Sequence, residues 1–192
     1  MKIFKALLAT ALITATLGAK TLKEGTLVIA TEGTYSPYSF YDEKNNLTGF
    51  DVDIARALAK ELGLKAEFLT APWDAMLAAF DAGKADIAMN QVSITQERKK
   101  KYNFSEPYTV AYAALVVRAD NEEIKSFADL KGKKSVHSAT SNWADMARSY
   151  GAEIVTADGF SKGVELIIAR RADATINDNI TFFDYMKQRP NA

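Results

Sequence analysis

Cysteine is absent from this sequence of 192 residues, and histidine occurs once, as His137. The lack of cysteine excludes a disulfide framework, a thiolate metal site, a nucleophilic thiol and the lipid-bearing cysteine of a surface lipoprotein. A metal site built from several histidines is excluded as well. We therefore expect a protein that works without a bound metal ion or cofactor.

An excess of charge is also lacking, because 24 basic side chains balance 24 acidic ones. Since nucleic-acid-binding proteins normally present a strongly basic surface, we expect no nucleic-acid partner. The sequence contains neither of the common glycine-rich phosphate-binding motifs, and it has no Ser–His pair with a supporting acid at a recognisable spacing. Glu32, Asp51 and Asp178 leave acid–base catalysis by paired carboxylates open, but their spacing does not argue for it. An enzyme is therefore disfavoured.

Long apolar runs are lacking beyond the N-terminus. Two lysines there precede an apolar run over residues 6–17, and small residues follow at Gly18 and Ala19. This pattern predicts a secretory signal peptide over residues 1–19, with a core helix as the competing interpretation. The run is too short to span a membrane comfortably. We expect a mature protein that is soluble, unanchored, monomeric and located outside the cytoplasm.

Strand-like and helix-like stretches alternate along the rest of the chain. In the first part, we predict strands at residues 27–30, 66–69 and 87–89, with helices that begin near Phe50 and Pro72. A further strand is predicted at residues 111–118, before a charged break at residues 120–123. After the break, we predict strands at 135–137, 153–156 and 174–176, and helices at 126–131, 143–150, 161–169 and 180–187. Helices that cross between strands favour parallel sheets. We predict an α/β protein of two lobes, residues 20–113 and 114–192.

An internal repeat supports the two-lobe prediction. Residues 84–90 read Lys-Ala-Asp-Ile-Ala-Met-Asn, and residues 171–177 read Arg-Ala-Asp-Ala-Thr-Ile-Asn. In both places a helix ends, a turn follows and a strand finishes in asparagine, after which Gln91 matches Asp178. A duplicated α/β element explains this better than chance, and two such lobes would enclose a ligand between them.

Polar residues follow the predicted strand ends, where open α/β sheets place their ligands. Arg98 lies just after a helix N-cap at Thr95, so it could bind a carboxylate group of a ligand. Asp178 could bind an ammonium group. A free amino acid fits this pair better than a phosphate or a neutral sugar. The full set of candidate ligand-binding residues is Glu32, Tyr35, Trp73, Asn90, Gln91, Ser93, Arg98, Thr140, Ser141, Asn142 and Asp178.

Several candidates have plainer roles. Arg98 could be a surface residue that pairs with a nearby glutamate, and Trp73 could belong to the core. Ser93, Ser141 and Asp178 could simply cap helices, since capping is the usual role of such residues ahead of a helix. These alternatives stay open from the residues alone.

Several motifs resemble the periplasmic solute-binding proteins of amino-acid ABC importers, known as solute-binding protein family 3. The most specific one is Gly-Phe-Asp-Val-Asp-Ile at residues 49–54. Residues 32–40, 73–74, 90–94 and 97–102 are similar to the cystine-binding subgroup. The resemblance covers essentially the whole mature chain and implies a type II two-lobe periplasmic-binding fold.

The resemblance also implies roles for the candidate residues. Arg98 should hold the α-carboxylate of the ligand with help from N–H groups near Thr140 and Ser141, and Asp178 should hold the α-ammonium with a contribution from Ser93. The remaining implied roles are a sandwich around the ligand side chain by Tyr35 and Trp73, and specificity set by Glu32, Asn90 and Gln91. The implied partners are a polar amino acid, with cystine favoured, and a membrane permease of an ABC importer.

The chain departs from the family pattern in two respects. Residues 139–141 read Ala-Thr-Ser where the family usually has Gly-Thr-Thr. Family members also return to the first lobe at their C-terminus, and a counterpart of that segment is not found, so we expect either a fragment or a short natural product. The alternative functions are a periplasmic lyase on the same fold, similar to cyclohexadienyl dehydratase, and a ligand-sensor module.

Overall fold

A computed structural model of the chain describes residues 20–189. The predicted signal peptide, residues 1–19, lies outside the described residues. Within residues 20–189, no helix combines the length and the apolar character that a membrane crossing requires.

The first part of the chain forms a small parallel sheet with helices around it. Its elements, in chain order, are β1 (Thr26–Thr31), β2 (Thr34–Tyr35), β3 (Ser39–Tyr41), β4 (Leu47–Thr48), α1 (Phe50–Glu61), β5 (Lys65–Thr70), α2 (Trp73–Asp81), β6 (Ile87–Ala88) and α3 (Gln96–Lys99). Strand β1 is central and pairs in parallel with β5 and β6. Strands β2, β3 and β4 form a separate antiparallel sheet.

Both faces of β1 are buried, which explains its continuous apolar sequence. Leu27 and Ile29 pack with Ala55 of α1 on one face. Ala30 packs with Met76 of α2 on the other face. The helices α1 and α2 therefore pack on opposite faces of the sheet. Polar residues lie at the carboxyl end of β1.

The second part of the chain forms a four-stranded sheet. Its elements are β7 (Ala113–Val117), a single 3-10 turn (Phe127–Leu130), β8 (Lys134–His137), α4 (Asn142–Ser149), β9 (Glu153–Thr156), α5 (Phe160–Ile168), β10 (Ala174–Asp178) and α6 (Asn179–Gln188). The strand order is β7-β10-β8-β9, with β7 antiparallel to β10 and the other pairs parallel. The predicted strand at residues 111–118 is shorter than expected, and the predicted helix at 126–131 is the 3-10 turn.

The internal repeat has the same geometry in both lobes. The backbone N–H of Asp86 donates to Val28 O at 2.8 Å, and the Asp86 carboxylate accepts from Val28 N at 2.8 Å. Asp173 exchanges the same two hydrogen bonds with Lys134, also at 2.8 Å each. In each lobe, one aspartate thus ties the start of the last parallel strand to the neighbouring strand.

The two main sheets share no strand among the described residues. The two-lobe α/β architecture is therefore confirmed. The boundary between residues 113 and 114 stays a prediction, and strand β7 begins next to it, at Ala113.

Candidate ligand-binding cleft

A cavity of about 1270 Å³ lies between the two lobes and is lined by both of them. It exceeds the usual size of a small-molecule pocket because it continues along the connecting segment at residues 102–111. Most of the predicted site residues line it, namely Glu32, Tyr35, Trp73, Asn90, Gln91, Ser93, Ser141, Asn142 and Asp178. Arg98 and Thr140 are not among the lining residues, but both are hydrogen-bonded to residues that are.

Arg98 is placed by the short helix α3. Thr95 caps this helix, because its side-chain oxygen accepts a hydrogen bond from Arg98 N at 3.1 Å. The Arg98 side chain then folds back, and Nη1 donates to Ser93 O at 3.2 Å. The predicted N-cap is confirmed. Ser93 contacts Arg98 through its backbone carbonyl, and its contribution to binding the ligand ammonium stays a prediction.

The Arg98 guanidinium also reaches across to the second lobe. Nη1 donates to Asn142 Oδ1 at 3.1 Å, and Nη2 donates to Thr140 O at 3.3 Å. Its Cζ atom lies 5.2 Å from the ring centre of Trp73, which favours the positive charge. Burial lowers the pKa of Arg98, but an arginine remains charged at neutral pH. Among residues 20–189, no carboxylate forms a salt bridge with it.

Asp178 lies at the end of β10 and caps α6, since its Oδ1 accepts from Thr181 N at 2.8 Å. Its carboxylate is buried, with only 5% of the residue exposed. The hydroxyl of Tyr38 donates to Oδ1 at 3.2 Å, and the hydroxyl of Tyr35 donates to Oδ2. No basic side chain in the described part of the chain forms a salt bridge with Asp178.

The two tyrosines beside Asp178 act as hydrogen-bond donors. Burial, followed by the negative charge of Asp178, raises the pKa of both Tyr35 and Tyr38 above the usual range. Both hydroxyls therefore keep their protons. Tyr35 OH also lies 2.8 Å from Asn177 Oδ1. Tyr38 and Asn177 were not among the predicted site residues, although Asn177 ends the repeated motif.

Glu32 and Asn90 form a buried polar pair at the ends of β1 and β6. Asn90 Oδ1 accepts from Thr31 Oγ1 at 2.9 Å and from Glu32 N at 2.8 Å, while its Nδ2 donates to Glu32 Oε2 at 2.7 Å. Burial raises the pKa of Glu32 from its ordinary value near 4.5 to about 7, against the opposing effect of the Asn90 hydrogen bond. The charges of Asp74 and Asp158 raise it further. Glu32 can therefore change its protonation near neutral pH.

Gln91 is held by Asp51, a residue that the sequence suggested only as a possible catalytic carboxylate. The Asp51 carboxylate accepts from Gln91 N at 2.8 Å, from Gln91 Nε2 at 2.7 Å and from Tyr108 OH at 3.1 Å. The backbone of Gln91 needs this support because its φ is 50°, in the left-handed region. Burial raises the pKa of Asp51. The sequence signal for this role was that Asp51 stands next to Val52, on the side of α1 that is buried.

Trp73 and Thr140 meet across the cleft. Trp73 Nε1 donates to Thr140 Oγ1 at 2.9 Å. The Thr140 N–H, which lies in the region where the resemblance implied N–H donors to the ligand carboxylate, donates to Asp74 Oδ1 at 2.9 Å. Ser141 caps α4, with its Oγ accepting from Trp143 N at 3.2 Å. Asp74 was not predicted, although it adjoins Trp73 in the sequence.

Within residues 20–189, no three histidine, aspartate or glutamate side chains come together in a group that could hold a metal ion. The polar groups of the cleft that the structure describes are hydrogen-bonding and charged side chains. Its polar chemistry is concentrated in Arg98, Asp178 and Glu32.

Comparison with known sequences identifies related proteins. Residues 27–189 match the sequence model of the bacterial extracellular solute-binding proteins, family 3. A probable amino-acid ABC transporter-binding protein of Haemophilus influenzae is 48% identical over 170 residues, which are 88% of this chain and 66% of the relative. The L-cystine-binding protein TcyA of Bacillus subtilis is 40% identical over 91% of this chain and 65% of its own length. The chain thus spans slightly less than two thirds of the length of these relatives.

Two solved structures provide a comparison of lobe arrangement. An ancestral arginine-binding protein bound to glutamine is 40% identical and has a TM-score of 0.82, over 88% of this chain and 76% of that chain. The L-cystine solute receptor of Neisseria gonorrhoeae in an unliganded open conformation is 44% identical, but its TM-score is 0.51, over 87% of this chain and 71% of that chain. The structure thus resembles the ligand-bound protein more than the unliganded open one, although the open one is more identical in sequence.

Proposed function

Because this chain belongs to the bacterial extracellular solute-binding proteins of family 3, we propose that it binds a free amino acid in the periplasm and delivers it to the permease of an ABC importer. Membership confirms the resemblance that the motif at residues 49–54 predicted, together with the type II two-lobe fold. The Haemophilus influenzae relative is named as a probable amino-acid ABC transporter-binding protein and TcyA as an L-cystine-binding protein, which supports a binding role over catalysis.

One observation carries the proposal: Asp178 lines the cleft, Arg98 is bonded to its lining residues Ser93 and Asn142, and neither charge forms a salt bridge within the described part of the chain. Arg98 belongs to the first lobe and Asp178 to the second. An amino acid supplies the complementary pair, a carboxylate and an ammonium group. Of the five N–H donors of Arg98, two on Nη1 and one on Nη2 are engaged, so Nε and the second Nη2 hydrogen remain for a carboxylate.

The ammonium group would be received at the opposite side of the cleft. Asp178 Oδ2 accepts one hydrogen bond, from Tyr35, and a carboxylate oxygen can accept a second. A buried carboxylate is costly unless a cation compensates it, so the ligand ammonium would stabilise the closed protein. The two lobes then hold the two ends of the same ligand, and only the closed arrangement satisfies both.

Cystine is the ligand that we propose within this class. TcyA is named for L-cystine, and so is the gonococcal receptor. Cystine carries a second amino-acid end beyond its disulfide, and this end needs polar partners away from Arg98. Glu32 lines the cavity and is bonded to Asn90, so the pair offers a carboxyl group whose charge can adjust to a distal ammonium.

Hinge closure of the lobes is part of the same proposal. The structure has its lobes joined across the cleft by the contacts of Arg98 with Asn142 and of Trp73 with Thr140. Its higher TM-score to the glutamine-bound protein than to the open receptor supports this arrangement as the ligand-binding one.

The decisive experiment removes the guanidinium of Arg98. Arg98→Ala should weaken cystine binding by at least about 100-fold, because it leaves a desolvated ligand carboxylate without its charged donor. Arg98→Lys should recover only part of the affinity, since lysine cannot form a two-point contact. Isothermal titration calorimetry with the purified protein measures both effects.

The matched control is Arg56→Ala. Arg56 is an exposed arginine on α1 that bonds to Leu47 O and Asp53, away from the cleft, so its loss should leave the affinity unchanged. Wild-type affinity in Arg98→Ala would overturn the assignment of the site.

A further inference from the structure

Asp74 points both of its carboxylate oxygens at the opposite lobe. Oδ2 accepts from Ala139 N at 2.9 Å. Oδ1 accepts from Thr140 N at 2.9 Å and from Thr140 Oγ1 at 2.6 Å. Asp74 lies in the first turn of α2, whereas residues 139–140 form the turn between β8 and α4. These hydrogen bonds therefore form only while the cleft is closed.

The neighbouring tryptophan completes the contact. Trp73 Nε1 donates to Thr140 Oγ1 at 2.9 Å, and the same hydroxyl donates onward to Asp74 Oδ1. The hydroxyl thus acts as acceptor and donor at once, an arrangement in which each bond strengthens the other. Bonds to an ionised carboxylate are also stronger than neutral ones. We name the contact of Trp73 and Asp74 with residues 139–140 the cleft latch.

We propose that Asp74 is a positioning residue for ligand binding, which stabilises the closed cleft through the cleft latch and so raises affinity without touching the amino acid. This inference rests on the proposed binding function. The physical reason is that a ligand which binds only the closed form has an apparent affinity proportional to the closed fraction. Each hydrogen bond that exists only in the closed form increases that fraction.

A simpler role for Asp74 would be to place a negative charge near the N-terminus of α2. That role does not require the carboxylate to face the other lobe or to accept N–H groups from two consecutive residues. The chain contains a comparison residue for this role. Asp53 lies in the first turn of α1 and is exposed, and within residues 20–189 its side chain is bonded only to Arg56 of the same helix. The two aspartates share the helix-terminal charge but not the contact across the cleft.

The first experiment measures closure without any ligand. Because the chain has no cysteine, Ala78→Cys on α2 and Ser149→Cys on α4 provide unique positions for two spin labels. Both positions are exposed. Ala78 lies on α2, which contains Trp73 and Asp74, and Ser149 lies on α4, which follows residues 139–140. Pulsed electron paramagnetic resonance then gives the distribution of distances between α2 and α4.

In the Asp74→Asn background, the distances should shift to longer values, because asparagine keeps the shape but replaces one acceptor with a donor that faces an N–H group. Asp53→Asn should give the wild-type distribution. Identical distributions for the wild type and Asp74→Asn would overturn the proposal.

The second experiment measures affinity for cystine by titration calorimetry and stopped-flow fluorescence. Asp74→Asn should weaken binding by about tenfold, mainly through faster dissociation, whereas Asp53→Asn should bind as the wild type does. Unchanged affinity in Asp74→Asn would contradict the role in binding. If the wild-type protein binds no amino acid, the proposed function fails, and the distance measurement still decides whether Asp74 closes the cleft.

Discussion

Glu32 is an acid whose surroundings hold it close to half-protonated at neutral pH. Only 7% of the residue is exposed, and its pKa is about 7 because burial disfavours the charged form. At the scale of a single residue, the cleft therefore contains a group that can respond both to pH and to the charge of a ligand.

This environment predicts a pH dependence of stability. The folded protein binds a proton at Glu32 more tightly than the unfolded chain does, so the contribution of Glu32 is fully present below about pH 4.5 and is lost as the pH rises through about 7. The expected size of the change is about 3 kcal/mol in the free energy of unfolding. Glu32→Gln should remove it, because the amide does not titrate in this range.

Urea unfolding of both proteins at pH 4.5 and pH 8 provides the measurement, and Glu61→Gln on the exposed end of α1 is the control. Other groups also titrate over this range, so the relevant quantity is the difference between wild type and variant at each pH. A difference that stays constant between the two pH values would contradict the raised pKa of Glu32.

At the scale of secondary structure, Gly49 determines how α1 begins and thus where Asp51 points. Its φ is 120°, a conformation that side chains rarely adopt. A Cβ atom at this position would collide with the carbonyl group of Tyr38 and would lie 2.9 Å from Pro37 O. Because the helix starts directly after this close approach, Asp51 can reach the backbone of Gln91 at the end of the neighbouring strand.

Gly49→Ala should therefore destabilise the protein by about 3 kcal/mol or more, since the collision involves backbone atoms that cannot move aside independently. Gly63→Ala is the matched control. Gly63 follows the same helix with a φ of 68°, but a Cβ there would meet no atom within 4 Å, so only the conformational cost of about 1 kcal/mol remains. Chemical denaturation of both variants measures the difference, and equal losses would refute the close-approach argument.

At the scale of the whole molecule, the proposed ligand site requires residues from both lobes. Arg98 is carried by the first lobe and Asp178 by the second, and each is contacted by residues far from it in the sequence, such as Asn142 for Arg98 and Tyr35 for Asp178. A ligand that bridges them stabilises the folded, closed protein by mass action. Both charged ends of an amino acid should therefore be required.

A thermal-shift series checks this requirement. At a concentration of about 1,000 times Kd, cystine should stabilise the protein by about 4 kcal/mol, which corresponds to an increase in Tm of about 10 °C. Derivatives with both amino groups acetylated or both carboxyl groups amidated should produce no comparable shift, because neither end of such a molecule carries both charges. An equal shift with the acetylated derivative would contradict the role proposed for Asp178.

The sequence alone determined the elements and their order, since helix and strand periodicity is local. Strand β1 and helices α1 and α2 lie within a residue or two of their predicted positions. The repeated motif also predicted equivalent structures, because Asp86 and Asp173 act on the strand directly beside them. A stretch of chain that carries its own periodicity needs no distant partner to be recognised.

The tertiary structure decided which polar groups are paired with one another. Asp51 and Gln91 are 40 residues apart, and Asp74 and Ala139 are 65 residues apart, so no local pattern could join them. Burial depends on the same long-range packing, which is why the raised pKa of Glu32 was not foreseen. The sequence determined that Arg98 and Asp178 are present, whereas crossover connections and lobe closure decided that they share one cleft, because only these bring strand ends from separate sheets together.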